Sequence, residues 1–255
     1  MIDLDFFFAD DLLSGPVLEH VQQLLSSHAS SWSAGTHRFV EGEPRVAVDM
    51  ARPHSLRAAC AEEVRTTGST FQALEARFGV SSRRTVGTAE LRGTDRSLIV
   101  FIHADEAARD GSRWTNQVSI QVRKQRVEGK PASEWCEAFF RDLSNTKTLV
   151  YARAASPEEF EHKNIVSDEA GVRAVGVDFA HGLPGLYWLT AIGQPYLEQI
   201  KKERLLSCPA EKCIALEESF LIYLSNGPEQ WNTESYARTE RAARDWLGHE
   251  HFFSK

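Results

Sequence analysis

The strongest local combination of chemical groups is "HADE", in which His103, Asp105 and Glu106 follow the apolar run "LIVFI". Residues two apart on a strand share a face, so Asp105 could orient the His103 imidazole as a general base. A second pair, Asp178 and His181 in "VDFAHG", lies beside a Gly/Pro loop. The third candidate is "HEH" at 249–251, an H-x-H arrangement able to ligate zinc from a strand. Each has a competing structural reading. "ADEAARDG" reads as a strand end turning into solvent, and "VDFAHG" has no spacing that defines a dyad. "HEH" follows a helix C-cap four residues from the terminus, where histidine complements the helix dipole. No nucleophile elbow, phosphate-binding glycine loop, H-E-x-x-H helix or EF-hand accompanies them. The pairs support a small-molecule hydrolase or transferase only as an alternative reading, with no cofactor and no metal expected.

Cys60, Cys136, Cys208 and Cys213 show no C-x-x-C spacing. Cys136 falls on the apolar face of an expected helix, where a thiol acts as a small hydrophobe. A Cys208–Cys213 disulfide is conceivable, but a reducing compartment argues against it. The N-terminus "MIDLDFFFADDLL" carries acids where an export signal carries bases, so a cytoplasmic location is expected. No apolar run approaches the roughly 20 residues that span a bilayer.

With 255 residues, 42% apolar and 25% charged, the chain is long enough for one large domain or two halves, 1–154 and 172–255. The net charge of −7 is uneven: residues 1–127 carry 15 Lys+Arg against 16 Asp+Glu, and residues 128–255 carry 14 against 20. That excess disfavours phosphate backbones, and Arg83–Arg84 form only a short basic spot, so nucleic-acid binding is not expected. It suits a basic protein partner, or simply solubility.

These groups must be positioned by an alternation of strands and helices. "IDLDFFF" (2–8) reads as a strand, followed by a helix with Ser14 as cap, Pro16 in its first turn and Val17, Leu18, Val21, Leu24 and Leu25 on one stripe. Residues 26–35 read as loop and 37–50 as a hairpin. Pro53 opens a further helix, Gly68 breaks it, and a short helix ends at Gly79. Strands follow at 86–91, 98–102 and 117–123, the middle one apolar on both faces and therefore central. Pro131–Leu143 is the clearest helix, with Ala132, Trp135, Cys136, Phe139, Phe140 and Leu143 inward. Strand 148–154 comes next, then the polar stretch "SPEEFEHKN", strands at 173–179 and 186–191, a helix from Pro195, a hairpin in "CIALEESFLIYLS" and a last helix over 233–247. In that last helix Tyr236, Ala243, Trp246 and Leu247 are expected inward. The class is α+β: mixed, mainly antiparallel sheets flanked by helices.

"GLYWLTAIGQPYLEQIKKERLLSCPA" (185–210) is the most sharply patterned segment, and each of its features has a structural reason. Gly193 permits a turn, Pro195 sets the first helical turn, and Lys201, Lys202 and Arg204 complement the helix C-terminus. The "YWL" strand, this Gly-x-Pro-Tyr turn, "ERLLSCPA", "FLIYLS", "GPEQWN" and "WLGHEHFF" together resemble the C-terminal region of bacterial polymorphic-toxin immunity proteins, nearest the immunity protein 52 family. The likeness spans roughly residues 183–253. It implies a non-enzymatic protein of α+β fold that binds and blocks one cognate toxin, and the matched positions carry no functional residue across. Aromatic anchors dominate interface energies while charges set on-rate and specificity. The candidate partner-binding residues are therefore the acidic and aromatic residues of expected loops: Asp10, Asp11, Glu158, Glu159, Glu161, Glu229 and Trp231.

Overall fold

The computed structural model describes residues 1–9, 12, 15–29, 36–39, 46–59, 86–92, 97–105, 116–168, 171–174, 182–194 and 196–252. The architecture is α+β. Contacts gather the chain into two compact units that do not follow chain order: Phe7–Trp135 forms one, and Met1–Phe6 joins Cys136–Lys255 in the other. The expected boundary at 154–172 lies inside the second unit, because the first strand returns to strands far along the chain.

In the Phe7–Trp135 unit, strands β2 (Thr36–Phe39), β3 (Val46–Val48), β4 (Val86–Arg92), β5 (Leu98–Asp105) and β6 (Asn116–Val122) run in the order β6-β5-β4-β2-β3. Every neighbouring pair is antiparallel, with Leu98 opposite Val122 and Leu91 opposite Val100. The expected 37–50 hairpin is present as β2–β3, and "LIVFI" is the interior strand that its two apolar faces require. Val118, Ile120 and Val122 are buried on one side of β6. Helix α1 (Val17–His28) buries Val17, Leu18, Val21 and Leu25. Pro16 itself is its N-cap and offers no side-chain cap, while Ser14 lies outside the described residues. The helix runs three residues into the expected 26–35 loop. Residues 55–59 are helical, as Pro53 suggested; the helices expected beyond them lie outside the described residues. A small hairpin, β7 (Arg126–Val127) and β8 (Lys130–Pro131), leads into α2 (Ala132–Ser144).

In the other unit, β1 (Ile2–Phe8) neighbours β9 (Leu149–Ala155), and β12 (Leu189–Ile192), β14 (Phe220–Tyr223) and β13 (Lys212–Ala215) follow antiparallel. All seven residues of β9 are buried. Phe139 and Phe140 of α2 meet the Phe6 ring at 6.3 and 5.1 Å, so the apolar stripe read from sequence covers this sheet. The polar stretch expected as loop is a helix, α3 (Pro157–Asn164), and the strand expected at 173–179 begins earlier, as the β10 (Ile165–Asp168)–β11 (Gly171–Ala174) hairpin. Residues 175–180 lie outside the described residues.

The helix expected from Pro195 is broken into α4 (Tyr196–Gln199) and α5 (Lys202–Leu206), so Lys201 caps the start of α5 rather than closing α4. Gly193 is needed for space rather than for a turn: a Cβ there would sit 2.0 Å from the Leu149 carbonyl oxygen. Helix α6 (Glu234–Leu247) starts at Thr233, whose hydroxyl accepts from the Tyr236 N–H at 3.2 Å, and ends at Gly248 with φ 103°. Trp246, expected inward, is 45% exposed and donates its indole N–H to the Arg204 carbonyl at 2.9 Å. "HEH" forms a 3₁₀ turn, with His249 2.8 Å from Asp245.

Candidate functional site

Two clusters of charged side chains stand out, one in each unit. The first is built on α3. Its start carries a readable signal: the Ser156 hydroxyl accepts the Glu159 N–H at 3.2 Å, and Pro157 occupies the first helical position. The inner face of α3 is ionic. Glu159 is 0% exposed, with Lys163 Nζ 2.8 Å away and the Tyr236 hydroxyl donating to it. Lys163 also reaches Glu240 at 3.0 Å and donates to the Leu186 carbonyl at 2.6 Å. Burial pushes the Glu159 carboxyl above its ordinary range, and Lys163 and Tyr236 offset part of that rise.

Arg153, a cation in the wholly buried β9, extends this network. It bonds Asp5 at 3.0 Å, the Tyr187 hydroxyl at 3.0 Å and the Asn164 side-chain oxygen at 3.2 Å. Its guanidinium lies 4.5 Å from the Phe160 ring centre. Burial works against its charge, but the Tyr187, Asp5 and Tyr151 oxygens outweigh it and hold the guanidinium above its usual pKa. Every ion in the cluster has a partner on another element or the next helical turn, which is the condition for keeping charge out of water.

The outer face of α3 is different. Glu158 and Glu161 are exposed, and the His162 ring lies 5.5 Å from Trp231, which is half-buried. Glu229 is exposed on the Pro228–Gln230 turn just before Trp231. The His162–Trp231 contact joins the helix that carries Glu158 and Glu161 to the turn that carries Glu229, although some 70 residues separate the two stretches. Glu159 does not belong with them. It was expected on a partner-facing loop, but helical spacing turns it into the core beneath that surface. Asp10 and Asp11 lie outside the described residues.

The second cluster is in the Phe7–Trp135 unit and was not anticipated. A cleft of about 680 Å³ is lined by α1 residues Glu19, Gln22, Gln23, Ser26 and Ser27, with Met50, Pro53 and His54 opposite. Gln22 ties its walls together: its amide donates to the Met50 and Arg52 carbonyls, both at 2.8 Å, and its oxygen accepts the Leu56 N–H at 3.1 Å. At the rim Glu19 meets His54 Nδ1 at 2.9 Å and also binds Arg57. Burial raises the Glu19 carboxyl, but hydrogen bonds from His54 and its own amide, with Arg57, more than offset this and hold it below its ordinary value. His54 adopts φ 61°, unusual for a residue with a side chain. One signal was available in sequence: a polar residue, Gln22, falls among the buried positions of α1, one turn after Glu19. The partner of Glu19, 35 residues away, was not legible.

Of the catalytic pairs read from sequence, His103 and Asp105 lie on β5, opposite Thr88 and Val86 of β4, with their side chains outside the described residues. Asp178 and His181 lie wholly outside them. Among the described residues no group of three or more His, Cys, Asp or Glu is placed to hold a metal ion, and no helix is long and apolar enough to cross a membrane. No protein-family model and no curated protein matches the chain.

Proposed function

We propose that this chain is an immunity-type protein that binds one cognate antagonistic toxin in the cytoplasm and covers its active site, with no turnover of its own. The observation that carries the reading is the outer side of α3. It carries exposed Glu158 and Glu161, with the Trp231 ring against His162 and exposed Glu229 on the turn before that ring, above an inner face held by the Glu159–Lys163–Glu240 ion pairs. A rigid, charged platform suits fast, specific capture of a basic partner, since the charges steer the encounter and the ring supplies contact area. The excess of six acids in residues 128–255 acts in the same direction.

The test is growth rescue. The partner recovered at equal stoichiometry from the native cells is expressed alone and then with this chain. Toxicity alone and growth together are expected, with rescue reduced at least tenfold by Glu158→Lys with Glu161→Lys. Full rescue by that double variant would move the interface elsewhere, and a harmless partner would end the immunity reading.

A second reading, a small-molecule hydrolase or transferase, is favoured by the Glu19–His54 pair on the cleft rim. A carboxylate-oriented imidazole is a general-base arrangement. Turnover of an ester or phosphoester library that disappears in His54→Ala would establish it.

A further inference from the structure

We propose that Cys208 and Cys213 form a reversible oxidation site, in which a hydroperoxide joins the two thiols as an intramolecular disulfide and a dithiol reductant reopens it. The pair is assembled by a tight turn. After α5, the Cys208 N–H bonds the Leu205 carbonyl at 3.2 Å, and the Cys208 carbonyl accepts the Ala210 N–H at 2.8 Å across Pro209. The Glu211 N–H then bonds the Tyr223 carbonyl at 2.9 Å, which starts the pairing of β13 with β14. This path folds the Cys213 thiol back to donate to the Cys208 carbonyl oxygen at 3.9 Å and brings the two side chains close enough for each to shift the other's ionisation. Both cysteines are free.

Their surroundings divide the labour. Cys213 is half-exposed on β13, whereas Cys208 is 8% exposed behind it. The hydrogen bond from Cys208 lowers the Cys213 thiol and outweighs the effect of burial, while the same bond, with burial, raises Cys208. Cys213 is therefore the attacking thiolate and Cys208 the resolving thiol. Cys136 provides the internal contrast. It is 0% exposed and burial pushes its thiol up, which leaves it inert.

In the first step the Cys213 sulfur attacks one peroxide oxygen. The O–O bond breaks, hydroxide leaves and takes a proton, and Cys213 becomes a sulfenic acid. The Cys208 sulfur, giving up its proton, then attacks the Cys213 sulfur and expels the oxygen as water. One peroxide is reduced to two waters while two thiols become one disulfide. Such bonds in a reducing compartment are characteristically transient and sensory rather than structural.

Trypsin supplies a clean readout, because cleavage after Arg204 and Lys212 puts the two cysteines on separate peptides, 205–212 and 213–238. The folded full-length protein is treated with hydrogen peroxide, alkylated, unfolded and digested. The two peptides are expected linked after peroxide and separate after dithiothreitol, with Cys136 alkylated only on unfolding. In Cys208→Ala, Cys213 is expected to stop at a dimedone-reactive sulfenic acid. The proposal is overturned if both thiols remain alkylated after peroxide, or if Cys213 passes to sulfinic acid with Cys208 present. It is equally overturned if the linkage joins isotopically heavy and light copies of the chain.

Discussion

The Arg153–Glu159–Lys163 network and the Glu19–His54–Arg57 cluster use the same residue types to opposite ends. In the first, Arg153 and Glu159 are buried, Lys163 is 13% exposed, and each of the three meets two or more partners, so their charges hold elements together. In the second, Glu19 is 19% exposed and the His54 side chain 68%, so the same chemistry faces solvent from the rim of a cleft. Water reaches His54 freely and screens the second more strongly than the first. Burial, rather than residue identity, decides which acid–base group is scaffold and which is available to a ligand.

The sharpest way to break this contrast is Arg153→Ala. It removes the buried guanidinium that pairs with Asp5 at 3.0 Å, and a loss of about 3–5 kcal/mol in urea unfolding is expected; a loss under about 1 kcal/mol, the value of an exposed pair, would erase the distinction. Lys163→Met should cost roughly 3 kcal/mol at pH 8 and less in acid, where the stranded Glu159 takes up a proton. An equal loss at both pH values would show that Glu159 is not ionised in the fold.

Glu159→Gln sharpens the comparison through pH. A raised folded pKa means the native carboxyl holds its proton more tightly than the unfolded one. Its contribution to stability therefore falls as pH rises from the ordinary carboxylate value of 4.5 to the higher folded value, and is constant beyond. The variant should show a flatter stability curve across that window, and a curve superimposable on the parent's would refute the assignment. Glu19 runs the other way. Its lowered pKa contributes stability above pH 4.5 that is lost as pH falls through the folded value. Glu19→Gln should cost under about 1 kcal/mol at neutral pH and nothing in strong acid. A loss of 3 kcal/mol or more, the buried-pair range, would place this cluster with the scaffold.

What could be read from the residues alone follows the same division. The stripe from Ala132 to Leu143, the central "LIVFI" strand and the Thr233-to-Gly248 helix were legible because apolar periodicity and caps are local. Helix α3 was missed because its inward face is made of Glu159, Phe160 and Lys163, so hydropathy registered no amphipathic pattern, although the Ser156–Pro157 start was in plain view. Trp246 was misplaced because its ring has a hydrogen-bond partner near the surface in Arg204, a residue 42 positions away. The division into units depends on β1 lying beside β9, a pairing across more than 140 residues that no local pattern encodes. Of the surface candidates, Glu158 and Glu161 are exposed on α3, and Trp231 meets that helix through His162. Glu159 was separated from them by one step of the helix.

The approach of Gly193 to the Leu149 carbonyl has a consequence for how freely this chain can vary. One side-chain carbon at 193 would have to occupy space already held by backbone, and separating the strands to admit it would sacrifice the 3.0 Å bond from the Gly193 N–H to Val150. Position 193 thus admits a single letter of the amino-acid alphabet, while exposed Gln194 beside it tolerates most of the others. The information content of the sequence changes abruptly between neighbours, set by one missing atom.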